Sequence, residues 1–224
     1  MTTESYSKTK YMSLCGLFAA LTAICSWISI PLGFTPIPMN LATLAVFLAG
    51  GLLGPKYGPV SITVYALAGA VGIPVFAGFR GGFSVLAGPT GGYIIGYIAA
   101  AFVVGLLCSH AFNRRHSDQS ESSMSESRAV GSSMPESSLS GSSMPESSLP
   151  ERHRAERGLM IMRVVIALVL GLAACYALGT LWFMISTNTN VGAALVACVI
   201  PFLPGDAIKI TAATILLPKL HKFI

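Results

Sequence analysis

A chain of 224 residues that is 53% hydrophobic and 10% charged, where ordinary soluble domains carry about 25% charged residues, is a membrane protein by composition. The formal charge of +5 gathers at the N-terminus and between residues 114 and 163, while from Tyr11 to His110 the only charged side chains are Lys56 and Arg80. This does not suggest a nucleic-acid partner, since no basic stripe interleaves with aromatics, and leaves the lipid bilayer as the first partner.

Lys8 and Lys10 precede an apolar stretch that runs to Ile30. It is too long for the apolar part of a signal peptide and reads as a first transmembrane helix over 11–30. The next eight residues, 31–38, hold three prolines, which forbid helix and favour an extended course. A second span follows over 40–53, then a turn at Lys56 and a third span over 60–75. A Gly-rich stretch over 76–92 carries Arg80 and precedes a fourth helix over 93–110. The fifth covers 159–184. The last apolar segment, 191–217, contains Pro201 and Pro204, so a break is expected there, with a new helix starting at Pro204, because proline suits a first helical position.

The expected fold class is therefore an all-α polytopic membrane protein with six transmembrane helices, four within 1–110 and two within 159–224. Placing both termini in the cytoplasm puts Lys8, Lys10, Lys56, the linker arginines Arg114, Arg115, Arg152, Arg154 and Arg157, and Lys219 and Lys222 inside. Arg80 is then the one base outside, as the excess of cytoplasmic Lys and Arg in membrane proteins requires. Between the two membrane parts, residues 111–158 form a Ser-rich linker. In it Gly131–Leu139 recurs as Gly141–Leu149, a ten-residue repeat too poor in apolar residues to fold.

Small-xxx-small pairs, which let helices approach closely, occur at Gly50 and Gly54, at Gly92 and Gly96, and at Ala19 and Ala23. Spacing alone assigns the glycines to packing within the chain. It leaves open whether Ala19 and Ala23 meet this chain or another. The five cysteines stand singly in apolar segments, without zinc or redox spacing, and read as reduced small hydrophobes. No metal site and no cofactor is expected. The four histidines lie at helix ends or in the linker, and motifs for ATP binding or hydrolysis are missing.

Chemistry concentrates at Pro201–Lys209. Asp206 is the only acid within the spans, and Lys209 follows three residues later. A charge at mid-bilayer costs about 2.5–3.5 kcal/mol on insertion scales, so such a pair marks a site by default. Spaced i and i+3, the two side chains share one helix face and can address one ligand or each other. Arg80 raises the net charge of the group to +1, which suits a small anion that also offers hydrogen-bond donors. Asn40, Thr35, Thr43 and Tyr93 are further polar candidates, and Phe34, Phe76, Phe79, Phe83, Tyr93 and Phe202 could cover an apolar body. From these residues alone, a ligand clamp, a structural ion pair and an acid–base pair of an intramembrane enzyme all stay open.

Several ordered motifs resemble the biotin transporter BioY family. They are Thr35-Pro36-Ile37-Pro38, Thr43-Leu44-Ala45-Val46, Leu48-Ala49-Gly50, Leu53-Gly54-Pro55, Pro74-Val75-Phe76-Ala77-Gly78, Gly88-Pro89-Thr90-Gly91-Gly92-Tyr93 and Pro201-Phe202-x-Pro204-Gly205-Asp206-x-x-Lys209. The resemblance covers about 14–110 and 159–217 but not the linker. It departs at Met39-Asn40-Leu41-Ala42, where the family commonly has a Thr and a Gln for Asn40 and Ala42. It implies a six-helix substrate-binding subunit (S component) of an energy-coupling-factor (ECF) vitamin transporter in the bacterial cytoplasmic membrane. Such a subunit binds biotin near its outer side and docks on two ATPases and a transmembrane coupling protein, so ATP is used by its partners and it is not itself an enzyme. The alternative is a solitary proton-coupled biotin carrier. The residues read with the resemblance give Asp206, Lys209, Arg80, Asn40, Tyr93, Thr43 and Phe34 as the expected substrate-binding set, and the resemblance implies that Ala19 and Ala23 meet the coupling protein.

Overall fold

The structure, a computed structural model, describes residues 3–33, 35–131 and 149–221. Helix α1 (Thr3–Trp27) carries the first apolar run and ends four residues before Pro31. The proline-rich loop beyond it is closed by a two-residue antiparallel ribbon. Here β1 (Ser29–Ile30) pairs with β2 (Met39–Asn40), Ser29 opposite Asn40 and Ile30 opposite Met39. The ribbon is tied back to α1 by Leu41, whose N–H donates to the Cys25 and Ile28 carbonyls.

Helix α2 (Ala42–Val71) holds the second and third expected spans as two arms, 42–53 and 55–71, which meet at Gly54. Gly54 has φ 76° and ψ −173°, a left-handed conformation open to glycine at little steric cost. Pro55 then starts the second arm without needing an N–H partner. The arms double back so closely that a Cβ on Gly58 would lie 2.9 Å from the Gly50 Cα. The expected turn at Lys56 is therefore made two residues earlier. Among the described residues, four stretches are long and apolar enough to cross a membrane, Lys8–Trp27, Gly91–Ala111, Gly158–Thr187 and Val191–Leu220. The other two expected spans are the arms of α2, each shorter than the roughly 20 residues a straight crossing needs.

A loop over 72–82 leads to the short α3 (Phe83–Ala87) and then to α4 (Gly91–Gly131). Helix α4 continues well past His110, where the linker was expected to begin. Residues 111–130 contain neither Gly nor Pro, so no residue stops the helix before Gly131. Helix α5 (Leu149–Thr187) likewise starts ten residues ahead of the expected boundary, with Pro150 in its first turn. Residues 132–148, which hold most of the repeat, lie outside the described residues. Helix α6 (Val191–Cys198), a 3₁₀ turn (Ile200–Phe202) and α7 (Leu203–Leu220) complete the chain. The expected break at Pro201 and Pro204 is present, with the helix starting one residue before Pro204.

Helix α2 packs on α1, α4 and α7, and α4 packs on α5. The core between them includes Val46, Phe47, Ile62, Val104, Val164, Leu168 and Leu217, all fully buried. Outward faces are apolar as well, with Met12, Leu17, Leu67, Val169 and Ile208 exposed. A soluble domain would not present so many exposed large apolar side chains, whereas a lipid-facing surface does. The buried charged side chains among the described residues, Asp206 and Lys209, lie at the start of α7.

Candidate ligand-binding site

The first turn of α7 carries Pro204 and Asp206. An acid there faces the positive end of the helix dipole, and the i, i+3 spacing brings Lys209 over it. The Lys209 Nζ lies 2.8 Å from the Asp206 Oδ1. Asp206 is only 3% exposed and Lys209 8%, so the pair is desolvated and must satisfy itself internally. It does so with help from α5, where the Tyr176 hydroxyl donates to the other carboxylate oxygen of Asp206. The Tyr176 ring meets Tyr93 of α4 edge to face, centroids 6.5 Å apart. The Tyr93 hydroxyl in turn donates to the Cys198 carbonyl at 3.3 Å, one of the acceptors that the end of α6 leaves without a helical partner. Tyr93 fits because Gly179 has no side chain. A Cβ at that position would come within 2.5 Å of the Tyr93 ring.

These groups form one wall of a cavity whose opposite wall is neutral and polar. Asn40, on β2, accepts from the Ala42 N–H at 3.2 Å and from the Tyr97 hydroxyl at 3.4 Å, capping α2 while facing the cavity. The Tyr65 hydroxyl donates to the Ser26 Oγ at 3.1 Å. Thr43 is 9% exposed and lines the same space. Its Oγ1 is buried without a protein partner among the described residues, a cost that a bound polar group or water removes. Ile37, Phe76, Val85, Ile94, Leu172 and Phe202 supply apolar surface between the two walls. Arg80 reaches the cavity from the 72–82 loop, its Nε donating to the Ala77 carbonyl at 3.3 Å. With Asp206 neutralised by Lys209, Arg80 leaves the cavity with an excess positive charge. The arrangement can hold a small molecule that has an anionic end, hydrogen-bonding groups and an apolar body.

The structure thus brings Asp206, Lys209, Arg80, Asn40, Thr43 and Tyr93 to one cavity. Phe34 lies outside the described residues. Thr35 instead serves its own loop, its Oγ1 accepting from the Ile37 N–H at 3.3 Å. Of the aromatics, Phe76 and Phe202 line the cavity, whereas Phe79 and Phe83 are 62% and 73% exposed and face away. Sequence reasoning passed over Ser26, Tyr65, Tyr97, Cys175 and Tyr176, all in the lining. The available signal was tyrosines in the middle of apolar helices, whose hydroxyls need partners when buried.

Ala19 and Ala23, expected at an interface with a partner, are 8% and 7% exposed within this chain and touch its core. The rotation of α1 against α2 turns them inward, and the small residues turned outward are Gly16 and Ala20.

Comparison with known proteins agrees with this architecture. The family model for the BioY family matches residues 1–224. The chain is similar to the biotin transporter BioY of Thermotoga maritima, 54% identical over 92 residues, which is 41% of this chain and 53% of that protein. The match thus spans about half of that relative's length. The chain is also 24% identical to the biotin transporter BioY of Lactococcus lactis subsp. cremoris over 216 residues, 96% of this chain and 92% of the relative. Among solved structures, the S-component for biotin from an ECF-type ABC transporter shares its fold. The TM-score is 0.68 at 24% identity, covering 99% of this chain and 95% of that one. A multi-pass membrane protein with this fold and a family match along its whole length, the chain belongs to the BioY family.

Proposed function

We propose that this protein is the substrate-specificity subunit of an ECF-type transporter and binds biotin in the cavity between α4, α5 and α7. The observation that carries the reading is the buried Asp206–Lys209 pair, braced by Tyr176, at the edge of a cavity that Arg80 also lines. Biotin offers a carboxylate to Arg80 or Lys209 and ureido N–H donors to Asp206 or Asn40. Its fused rings and chain are apolar and match Phe76, Phe202 and Leu172. Similarity to proteins named biotin transporters supports the same ligand. The role is binding and transport, not catalysis. Titration of detergent-purified protein with biotin tests it, with desthiobiotin and lipoate as controls. Saturable binding of biotin well above both controls is expected, and its absence would overturn the reading.

In this proposal the protein sits in the bacterial cytoplasmic membrane with both termini inside. Energy comes from two ATPases through a transmembrane coupling protein. Docking through α1 would use its small residues, Ala19 and Ala23 together with the exposed Gly16 and Ala20 beside them. Uptake that depends strictly on the ATPases is expected. Uptake in membranes without any coupling ATPase would instead favour the solitary proton-coupled carrier.

A further inference from the structure

The loop over 72–82 delivers Arg80 to the cavity, yet its backbone is soft. Gly72, Gly78 and Gly82 have positive φ values, and Phe79, at φ 56°, sits in the left-handed region that non-glycine residues avoid. The inner side of the loop is anchored. Phe76 is 2% exposed and meets Tyr65 edge to face at 5.6 Å, Phe76 N–H donates to the Arg80 carbonyl at 2.9 Å, and Gly82 N–H donates to the Gly69 carbonyl at 2.7 Å. On its outer side the loop is gripped from another element. Trp27, the last residue of α1, donates from Nε1 to the Pro74 carbonyl at 2.8 Å. Its ring also stacks on Phe79 with centroids 5.0 Å apart and planes 26° apart. One side chain thus holds both the start of the loop and the residue next to Arg80, and it does so from outside the cavity, which Trp27 does not line.

We propose that Trp27 is a positioning residue that clamps the 72–82 loop to the end of α1 and so holds Arg80 in place for an anionic ligand. The proposal rests on the reading of the cavity as a biotin site only for the identity of that ligand. The chemistry follows from two separable contacts. The indole N–H fixes the position of the Pro74 carbonyl, and the ring face supports Phe79 in a backbone conformation that is unfavourable by itself. Without the clamp, the guanidinium must be ordered when ligand binds, and part of the binding free energy is lost to that ordering.

Two measurements on the purified full-length protein test this. In the first, biotin is titrated against wild type, Trp27→Ala, Trp27→Phe, Arg80→Ala and the Trp27→Ala/Arg80→Ala double variant. Loss of a stacked pair and a hydrogen bond predicts binding weaker by about tenfold for Trp27→Ala, and by about threefold for Trp27→Phe, which keeps the stack. In the Arg80→Ala background, Trp27→Ala should change affinity by less than about twofold, the signature of residues that act as one unit. In the second, tryptic cleavage after Arg80 is followed by mass spectrometry without ligand, and Trp27→Ala should speed it by about tenfold, in proportion to the population of the open loop. An equal loss of affinity from Trp27→Ala in both backgrounds would overturn the proposal, as would an unchanged cleavage rate. If wild type bound no biotin, the ligand reading would fail, and the cleavage arm would still decide the clamp.

Discussion

Replacing both members of the α7 ion pair separates its structural role from its binding role. In Lys209→Met, the Asp206 carboxylate stays 3% exposed with only the Tyr176 hydroxyl as partner. Removing one member of a buried pair costs about 3–5 kcal/mol, so the single variant should be clearly less stable in detergent. In Asp206→Asn, the ammonium loses its anionic partner at 2.8 Å, and a similar cost is expected. The double variant Asp206→Asn/Lys209→Met carries no buried charge, keeps an acceptor for Tyr176, and should return to within about 1 kcal/mol of wild type, since exchanging a buried pair for uncharged groups is close to neutral. Binding should not return. Two hydrogen bonds to charged groups, at about 1.5–3 kcal/mol each, amount to about 3–6 kcal/mol, or roughly 10²–10⁴-fold in affinity. Thermal unfolding and biotin titration on the same preparations read both quantities. A double variant that binds biotin as wild type does would refute the clamp and leave the pair as a device for fixing α7.

Four further outcomes follow from the packing. Tyr176→Phe removes the donor to Asp206 and should weaken biotin binding by about tenfold, the worth of one hydrogen bond to a charged group; titration checks it. Gly179→Ala drives a methyl into the Tyr93 ring, which lies 2.5 Å from that Cβ position. It should lower both stability and affinity, by about 1–3 kcal/mol in stability as for other overpacked sites, read by thermal unfolding. Ala19→Leu should destabilise the fold through the same overpacking, whereas Gly16→Leu meets open space and should leave stability and binding intact while reducing ATPase-dependent uptake. Deleting residues 120–150 should leave the biotin affinity of the purified protein unchanged, since α4 lines the cavity from its first turns, at Tyr93, Ile94 and Tyr97, far along the chain from the deleted segment.

Much of the site was legible because charge in an apolar segment has no inexpensive explanation. Asp206 and Lys209 stood out on that ground, and Pro204 fixed where their helix begins. Arg80, the one base assigned to the outer loops, was legible from charge asymmetry. Tyr176, Tyr97 and Tyr65 were not. A tyrosine in an apolar helix serves equally well at a membrane interface or in the core, and only the juxtaposition of α5 and α7 pairs Tyr176 with Asp206. Helix rotation was hidden for the same reason. Ala19 and Ala23 lie buried on α1, three residues on from a second small pair, Gly16 and Ala20, that is exposed. Among the described residues the backbone is helical through Gly131 in α4 and from Leu149 in α5, bounds that composition does not show because polar residues without Gly or Pro can continue a helix. Gly54 was read as half of a packing pair, whereas its left-handed backbone makes the turn of α2.

The central claim is that one cavity, built by α7 with α4, α5 and the 72–82 loop, holds biotin. A structure of the protein with biotin bound tests it most directly. The ligand is expected between Phe76, Leu172 and Phe202, with polar atoms within about 3 Å of Asp206, Lys209 or Arg80. Biotin seated away from the α7 pair, for instance in the outer groove between α3 and Trp182, would contradict it.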